Sequence, residues 1–279
     1  MHIFEKIEEL KCYLNSVRTQ GTIGLAPTMG ALHEGHLSLI KQAKKKNTFV
    51  VCSIFVNPIQ FNDPADLNNY PRTLESDIEK LESVDCDILF VPSVTEIYIE
   101  NETVPELGYI ATVMEGAFRP GHFKGVALIV NKLFKIIQPH AAYFGEKDFQ
   151  QLAIIKELVN KTAAPIRIVG CAIIRESDGL AMSSRNIHLT PIERKAAPLI
   201  FKTLSEAKNR IHNSSVKEIK KWVTETIESS PLMKIDYFEI VREDSLLPIS
   251  NWSESENIRG CLAVKIGKIR LLDNVALFS

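Results

Sequence analysis

The stretch "LAPTMGALHEGHLSLI", Leu25–Ile40, decides how the chain is read. The apolar run "TIGLA" (22–26) has the make-up of a short strand, and "LSLIKQAKKK" (37–46) that of a helix with a basic outer end. Between them Pro27 and Gly30 turn the chain, and Gly35 falls at the start of the helix. Unpaired N–H groups and the positive end of the dipole attract phosphate there, and a glycine lets an anion or base approach the backbone. His33 and His36 flank that glycine and can donate to phosphate oxygens, most strongly where negative charge grows during reaction.

Other readings of the pair compete with this one. The metalloprotease motif sets two histidines four residues apart with a glutamate between; here the spacing is three and no third ligand is evident. Imidazoles that merely cap a helix are the bland account of either histidine alone. Both beside one glycine at a strand-to-helix turn favour function. No GxxxxGK[ST] occurs and no GxGxxG follows a strand, so neither a P-loop nor the usual dinucleotide mode has support.

Outward from this turn the strand and helix patterns alternate. Ile3, Ile7, Leu10, Leu14 and Val17 recur at helical spacing, so the chain is expected to open with an amphipathic helix. "TFVVCSIFV" (48–56) is a continuous run of the kind buried on both faces of a sheet. A helix is expected near 74–84, then the strand "DILFVP" (87–92), a helix built on Val126, Ile129, Val130, Leu133, Phe134 and Ile137, and the strand "AAYFG" (141–145). A helix near 148–160 and the strand "IRIVGCAII" (166–174) complete the series. It predicts an α/β fold whose Rossmann-like, doubly wound parallel sheet binds ligands at the carboxyl ends of its strands. Beyond it, helices near 190–211 and 215–229 precede "IDYFEIV" (235–241), "CLAVKIG" (261–267) and "KIRLLD" (268–273), a smaller α+β domain. The expected boundary puts the first domain at 1–176 and the second, a natural lid, at 177–279.

Composition narrows the function classes. A net charge of −1 supplies no field for nucleic acid or an anionic membrane, and no apolar run approaches a membrane span. A cytoplasmic protein with no nucleic-acid or membrane partner is expected. Five scattered cysteines form no CxxC pair and read as structural, Cys52 and Cys171 inside strand-like runs.

Three more segments carry chemistry. In "FVNPIQF" (55–61), Asn57 and Gln60 are uncharged hydrogen-bond formers framed by apolar residues, suited to orienting a small polar molecule; an Asn-Pro turn explains Asn57 without any ligand. In "YFGEKDFQQL" (143–152), Lys147 can reach a phosphate, Asp148 can accept from ribose or assist a metal, and Gln151 offers an amide. Asp148 as a helix cap is the alternative. In "DGLAMSSRN" (178–186), Ser183 and Ser184 supply hydroxyls and Arg185 a cationic fork, although a polar loop with a Ser cap would look the same.

HxGH after a first strand resembles the signature of the nucleotidyltransferase superfamily that includes class I aminoacyl-tRNA synthetases. Six segments together, "PTMGALHEGHLSLI", "FVNPIQF", "YPRTLESD", "FRPGHFKGV", "YFGEKDFQQL" and "DGLAMSSRN", resemble the pantoate-β-alanine ligase family, from about residue 20 to the "LLDN" at 271–274. The resemblance implies ATP-dependent joining of pantoate to β-alanine through a pantoyl adenylate, releasing AMP and diphosphate, by a homodimer that uses Mg²⁺. It places Met29, Gly30, Ala31, Leu32, His33, Glu34, Gly35 and His36 along ATP, with His36 the usual proton donor. A helix N-terminus favours neutral imidazole, so His36 as a simple hydrogen-bond donor stays open. Gly145, Glu146, Lys147 and Asp148 would hold ribose and phosphate, with Lys147 steadying the α-phosphoryl group. Ile174, Met182, Ser183, Ser184 and Arg185 would complete the nucleotide set. Gln60 would grip pantoate and β-alanine and Gln151 pantoate, with Met29 as an apolar wall, Asn57 nearby and Arg119 on a mobile loop. Asp77 is the position nearest the metal. Ser177 departs from the pattern, where relatives often carry an acid. A plain AMP-transferring enzyme and a non-catalytic nucleotide-binding protein are the rival readings.

Overall fold

The computed structural model describes residues 1–98 and 103–278. By its internal contacts the chain divides into two compact units: the first holds Met1–Glu146 and Gln151–Ala172, the second Lys147–Gln150 and Ile173–Ser279. This division falls at Ala172/Ile173, close to the expected boundary at 176/177. The four residues Lys147–Gln150 also belong to the second unit.

In chain order the first stretch runs β1 (His2–Phe4), α1 (Ile7–Val17), β2 (Ile23–Thr28), α2 (Glu34–Lys44), β3 (Phe49–Ile54), α3 (Pro64–Asn69), α4 (Leu74–Glu82), β4 (Ile88–Phe90) and α5 (Val94–Ile97). It continues through α6 (Glu115–Phe118), α7 (His122–Ile137), β5 (Ala141–Gly145), α8 (Phe149–Thr162) and β6 (Arg167–Cys171). The six strands form one parallel sheet in the order β1-β4-β3-β2-β5-β6. From β2 the chain winds outward through β3 and β4, then restarts on the other side at β5 and β6. β2 and β5 thus flank the point where strand order reverses, the crevice that open parallel sheets use for ligands.

Alternation along the strands explains why both faces are covered. Ile23, Leu25, Val51, Ile88, Phe90, Ala142 and Phe144 join a core with α1, α7 and α8. Ala26, Val50, Cys52, Ile54, Leu89 and Tyr143 point into a second core with Leu37, Leu39, Ile40 and Ala43 of α2 and Leu81 of α4.

Two local expectations are corrected. The opening is a strand, not a helix: His2–Phe4 pairs with Ile88–Phe90, and α1 begins only at Ile7. Pro27 does not turn the chain but continues β2 opposite Ser53. Beyond Leu25 that strand pairs with β3 and no longer with β5, so the N–H that proline lacks is not required on the β5 side.

The second unit contains α9 (Pro191–Ala196), α10 (Leu199–Arg210), α11 (Val216–Glu228), β7 (Met233–Arg242), β8 (Ile258–Ile266) and β9 (Ile269–Phe278). Its strands form an antiparallel sheet in the order β7-β8-β9, packed on α10 and α11 through Ile200, Leu204, Ile219, Val223, Ile240, Leu262 and Val264. The single helix expected over 190–211 is two, with Pro198 as the N-cap residue of α10. Among the described residues no helix is long and apolar enough to cross a membrane. Cys52, Cys86, Cys171 and Cys261 are buried thiols, whereas Cys12 is exposed on α1 and does not serve the interior.

Candidate active site

In the first unit the site is built on the turn from β2 into α2. Gly30 (φ +81°) and Ala31 (φ +51°) both take left-handed backbone, which costs an alanine of order 1 kcal/mol. Asp77 of α4 offsets that cost. Its Oδ2 accepts from Ala31 N at 2.9 Å and its Oδ1 from Leu32 N at 2.7 Å, with Thr73 Oγ1 at 3.2 Å. Lys80 Nζ donates to the Leu32 carbonyl at 2.8 Å, so α4 holds both polar edges of the turn.

The turn delivers His33 as the N-cap of α2. His33 Nδ1 accepts from Gly35 N at 3.1 Å, and His36 Nδ1 accepts from His33 N at 3.4 Å, a reciprocal capping box made of two imidazoles. Capping and chemistry are therefore not alternatives here. An Nδ1 that accepts carries no proton, so the neutral ring is protonated at Nε2 and that atom is the donor. The ring centroids lie 4.1 Å apart. The side chains of this segment divide: Leu32 is buried in the core and could line a nucleotide only through its backbone, whereas Glu34 is exposed and pairs with Lys41 at 3.2 Å.

The amide pair of the turn after β3 also divides. Asn57 is 1% exposed. Its Oδ1 accepts from Ile59 N at 3.2 Å and from the Tyr98 hydroxyl at 2.6 Å; its Nδ2 donates to Gly125 O at 3.0 Å and to Gln60 Oε1 at 3.2 Å. All four of its hydrogen-bonding positions are taken inside the protein, one of them by the Gln60 side chain that it orients; the expectation was that Asn57 contacts substrate. With Oε1 so occupied, Gln60 Nε2 points to Met29 Sδ at 2.8 Å, bringing together two residues expected on the same substrate.

Arg119 is not detached from this turn either. Its Nη2 and Nδ1 of His122 both donate to the Gln60 carbonyl, at 3.3 and 2.8 Å. Tyr98, His122 and Gly125 are the supporting residues that sequence reasoning missed. "FRPGHFKGV" contained the last two, and their glycine spacing was the available signal. A Cβ on Gly125 would stand 2.9 Å from Gln60 N and Ile59 O, so only glycine lets α7 meet this turn.

Gln151 is half-buried on the first turn of α8, and Gly145 closes β5 with nothing within 4 Å of where its Cβ would be. The mouth of β5 is thus open at the strand-order reversal. Asp77, expected near a metal, is 1% exposed and committed to Ala31 and Leu32. Among the described residues no three His, Cys, Asp or Glu side chains are grouped to hold an ion.

In the second unit Lys147 Nζ lies 3.4 Å from Asp148 Oδ1. The segment after Ile174 is a hairpin: Arg175 bridges Ala181, Met182 N donates to Ile174 O at 3.0 Å, and Gly179 turns at φ +92°. Ser183 then caps a short 3-10 turn, Ser184–His188, by accepting from Arg185 N at 3.3 Å. Asp178 pairs with Arg194 at 2.6 Å, which holds its carboxyl below the usual range. Ile174, Met182, Ser183, Ser184 and Arg185 are all half-buried along this run.

A parallel α/β sheet with a doubly capped helix at its switch point, flanked by an oriented carboxamide, is an arrangement suited to an α/β enzyme that handles phosphate. The chain belongs to the pantoate-beta-alanine ligase family, whose model matches residues 2–276. It is 48% identical over 277 residues to the pantothenate synthetase of Porphyromonas gingivalis strain W83, with 99% of each chain covered. To that of Phocaeicola vulgatus it is 50% identical over 279 residues, again with 99% of each covered. The pantothenate synthetase structure from Thermus thermophilus superposes with a TM-score of 0.94 at 40% identity, covering 100% of both chains. A pantoate-beta-alanine ligase structure from Francisella tularensis, complexed with beta-gamma ATP and beta-alanine, gives 0.83 at 38% identity, covering 99% of this chain and 98% of that one.

Proposed function

We propose that the enzyme condenses pantoate with β-alanine at the expense of ATP, by way of a pantoyl adenylate. The pantoate carboxylate attacks the α-phosphorus, diphosphate leaves, and the β-alanine amine then displaces AMP from the acyl carbon. The observation that carries this reading is the imidazole capping box in a chain of this family. It presents Nε2–H groups at a helix N-terminus, where a phosphate gaining charge is best stabilised.

In this reading His33 and His36 donate to phosphate oxygens, Lys147 neutralises charge on the α-phosphoryl group, and Ser183, Ser184 and Arg185 bind the departing diphosphate. Gln60 and Gln151 hold pantoate by amide hydrogen bonds, and Met29 supplies its apolar wall. Gly145, Glu146 and Asp148 serve the ribose. Mg²⁺ would come as part of the nucleotide substrate; Asp77, the position expected nearest the metal, is occupied by backbone amides. A cytoplasmic homodimer completes the proposal and rests on the family resemblance; light scattering of the purified protein tests the dimer.

Mass spectrometry tests the chemistry directly. With ATP and pantoate alone, pantoyl adenylate should accumulate on the enzyme, and β-alanine should convert it to pantothenate and AMP. AMP release without any amide product would sink the proposal.

A further inference from the structure

β9 carries two buried polar residues side by side: Asp273 and Asn274, each 3% exposed, in a unit whose core is otherwise largely apolar. Burying a carboxylate and a carboxamide is costly unless each is fully bonded, and an apolar pair would serve stability as well. Their bonds run to the segments expected to handle phosphate. Asp273 receives both Arg175 nitrogens, at 2.7 and 2.9 Å, and Arg175 Nη1 also donates to the Gly179 carbonyl at 3.1 Å, fastening the hairpin that leads to Ser183 and Arg185. Asn274 Nδ2 donates to the main-chain carbonyl of Lys147 at 3.0 Å.

Asn274 is itself fixed from both sides. Its N–H donates to Asp273 Oδ1 at 2.7 Å, and its Oδ1 accepts from Arg259 Nη1 at 2.6 Å. Arg259 is anchored by Glu243 at 2.8 Å and lies over the ring of Phe149, its guanidinium carbon 4.1 Å from the centroid. The short segment Lys147–Phe149 is therefore held at two points, its first carbonyl by Asn274 and its last ring by Arg259. These bonds tie Lys147–Gln150 to the second unit.

We propose that Asn274 is a positioning residue of the reaction, acting on Lys147 through its main-chain carbonyl. The inference rests on the reading that Lys147 steadies the phosphoryl group. Lysine is a point charge on a long stem, so the place of its Cα sets where the ammonium can reach. A misplacement of about 1 Å at such a site costs roughly a hundredfold in rate.

Single-turnover formation of pantoyl adenylate, measured by rapid quench, tests this in a double-mutant cycle. Asn274→Asp keeps the acceptor for Arg259 and removes the donor to Lys147; Asn274→Ala removes both. In the wild-type background each should slow adenylate formation by about 10- to 100-fold, with KM for pantoate unchanged within about twofold. In a Lys147→Ala background the same changes should cost less than about threefold, because residues acting as one unit are non-additive. Equal fold-losses in both backgrounds, or a wild-type rate for Asn274→Asp, would overturn the inference alone. A wild-type rate for Lys147→Ala would overturn the Lys147 reading and the inference with it. If neither Asn274 variant folds, Phe149→Leu, which removes the ring under Arg259, is read in the same cycle: a several-fold loss that vanishes beside Lys147→Ala supports the proposal, and an additive loss overturns it.

Discussion

Asp77 and Leu32, 45 positions apart in sequence, are joined by a 2.7 Å hydrogen bond from the Leu32 main-chain N–H to the buried Asp77 carboxylate. With the companion bond to Ala31 it sets the conformation of the turn that launches His33 and His36. The residue expected nearest the metal clamps the turn between β2 and α2.

Asp77→Asn should therefore cost about 2 kcal/mol of stability in urea unfolding, since one of two buried amides loses a charged acceptor. Turnover should fall by roughly tenfold while the Mg²⁺ concentration for half-maximal rate stays within about twofold. A large rise in that concentration would instead make Asp77 a metal ligand.

The capping and catalytic roles of His33 can be separated by His33→Asn. Asparagine is among the best N-cap residues, so thermal stability should stay within about 0.5 kcal/mol of wild type. It cannot present an imidazole Nε2–H, and adenylate formation should drop by about a hundredfold. Equal rates would reduce the motif to helix capping.

Tyr98→Phe deletes the 2.6 Å bond to Asn57 and frees that side chain to turn away from Gln60. KM for pantoate should rise several-fold, about 1 kcal/mol in binding, with KM for ATP unchanged. Gly125→Ala attacks the same turn from α7 and should raise KM for pantoate while lowering stability by about 1–3 kcal/mol. A parallel rise in KM for ATP would show that the turn does not serve one substrate.

Alkaline pH offers a test of the buried thiols. Burial pushes Cys86 and Cys171 up to about 11 and Cys261 to about 12, from an ordinary value of 9.0. The folded chain then keeps protons that the unfolded chain releases, so this stabilisation is complete below pH 9 and declines as pH rises through about 11. Urea midpoints should fall between about pH 8 and about pH 10.5. At neutral pH a thiol reagent should label Cys12 at once and the buried four only on unfolding. Rapid labelling of Cys52 would contradict the packing of β3.

Long periodic elements were legible in sequence. α7 announces itself through Val126, Ile129, Val130, Leu133 and Ile137, and β5 matches its expected span because five residues of apolar chain sit between turn signals. β1 was not legible: three residues carry no period, and Ile3 and Ile7 happen to fall at helical spacing. The break before α10 had a visible cause in Pro198, whose missing N–H interrupts a helix ladder, but the apolar pattern runs through it. Among the site residues, the types at Gln60, His33 and His36 declared polar chemistry. Asn57 declared the same, while its four bonds within the protein come from residues up to 68 positions away and could not be read from its neighbours.

Sequence by itself determined the alternation of strand and helix, the parallel sheet, and the family, because periodicity and short motifs are properties of neighbours along the chain. Tertiary structure alone decided which of the polar side chains hold another residue in place. Asp77, Asn57 and Asn274 look alike in sequence as polar residues near motifs. Only folding supplies their partners, and a buried hydrogen-bonding group takes its role from the atoms that satisfy it.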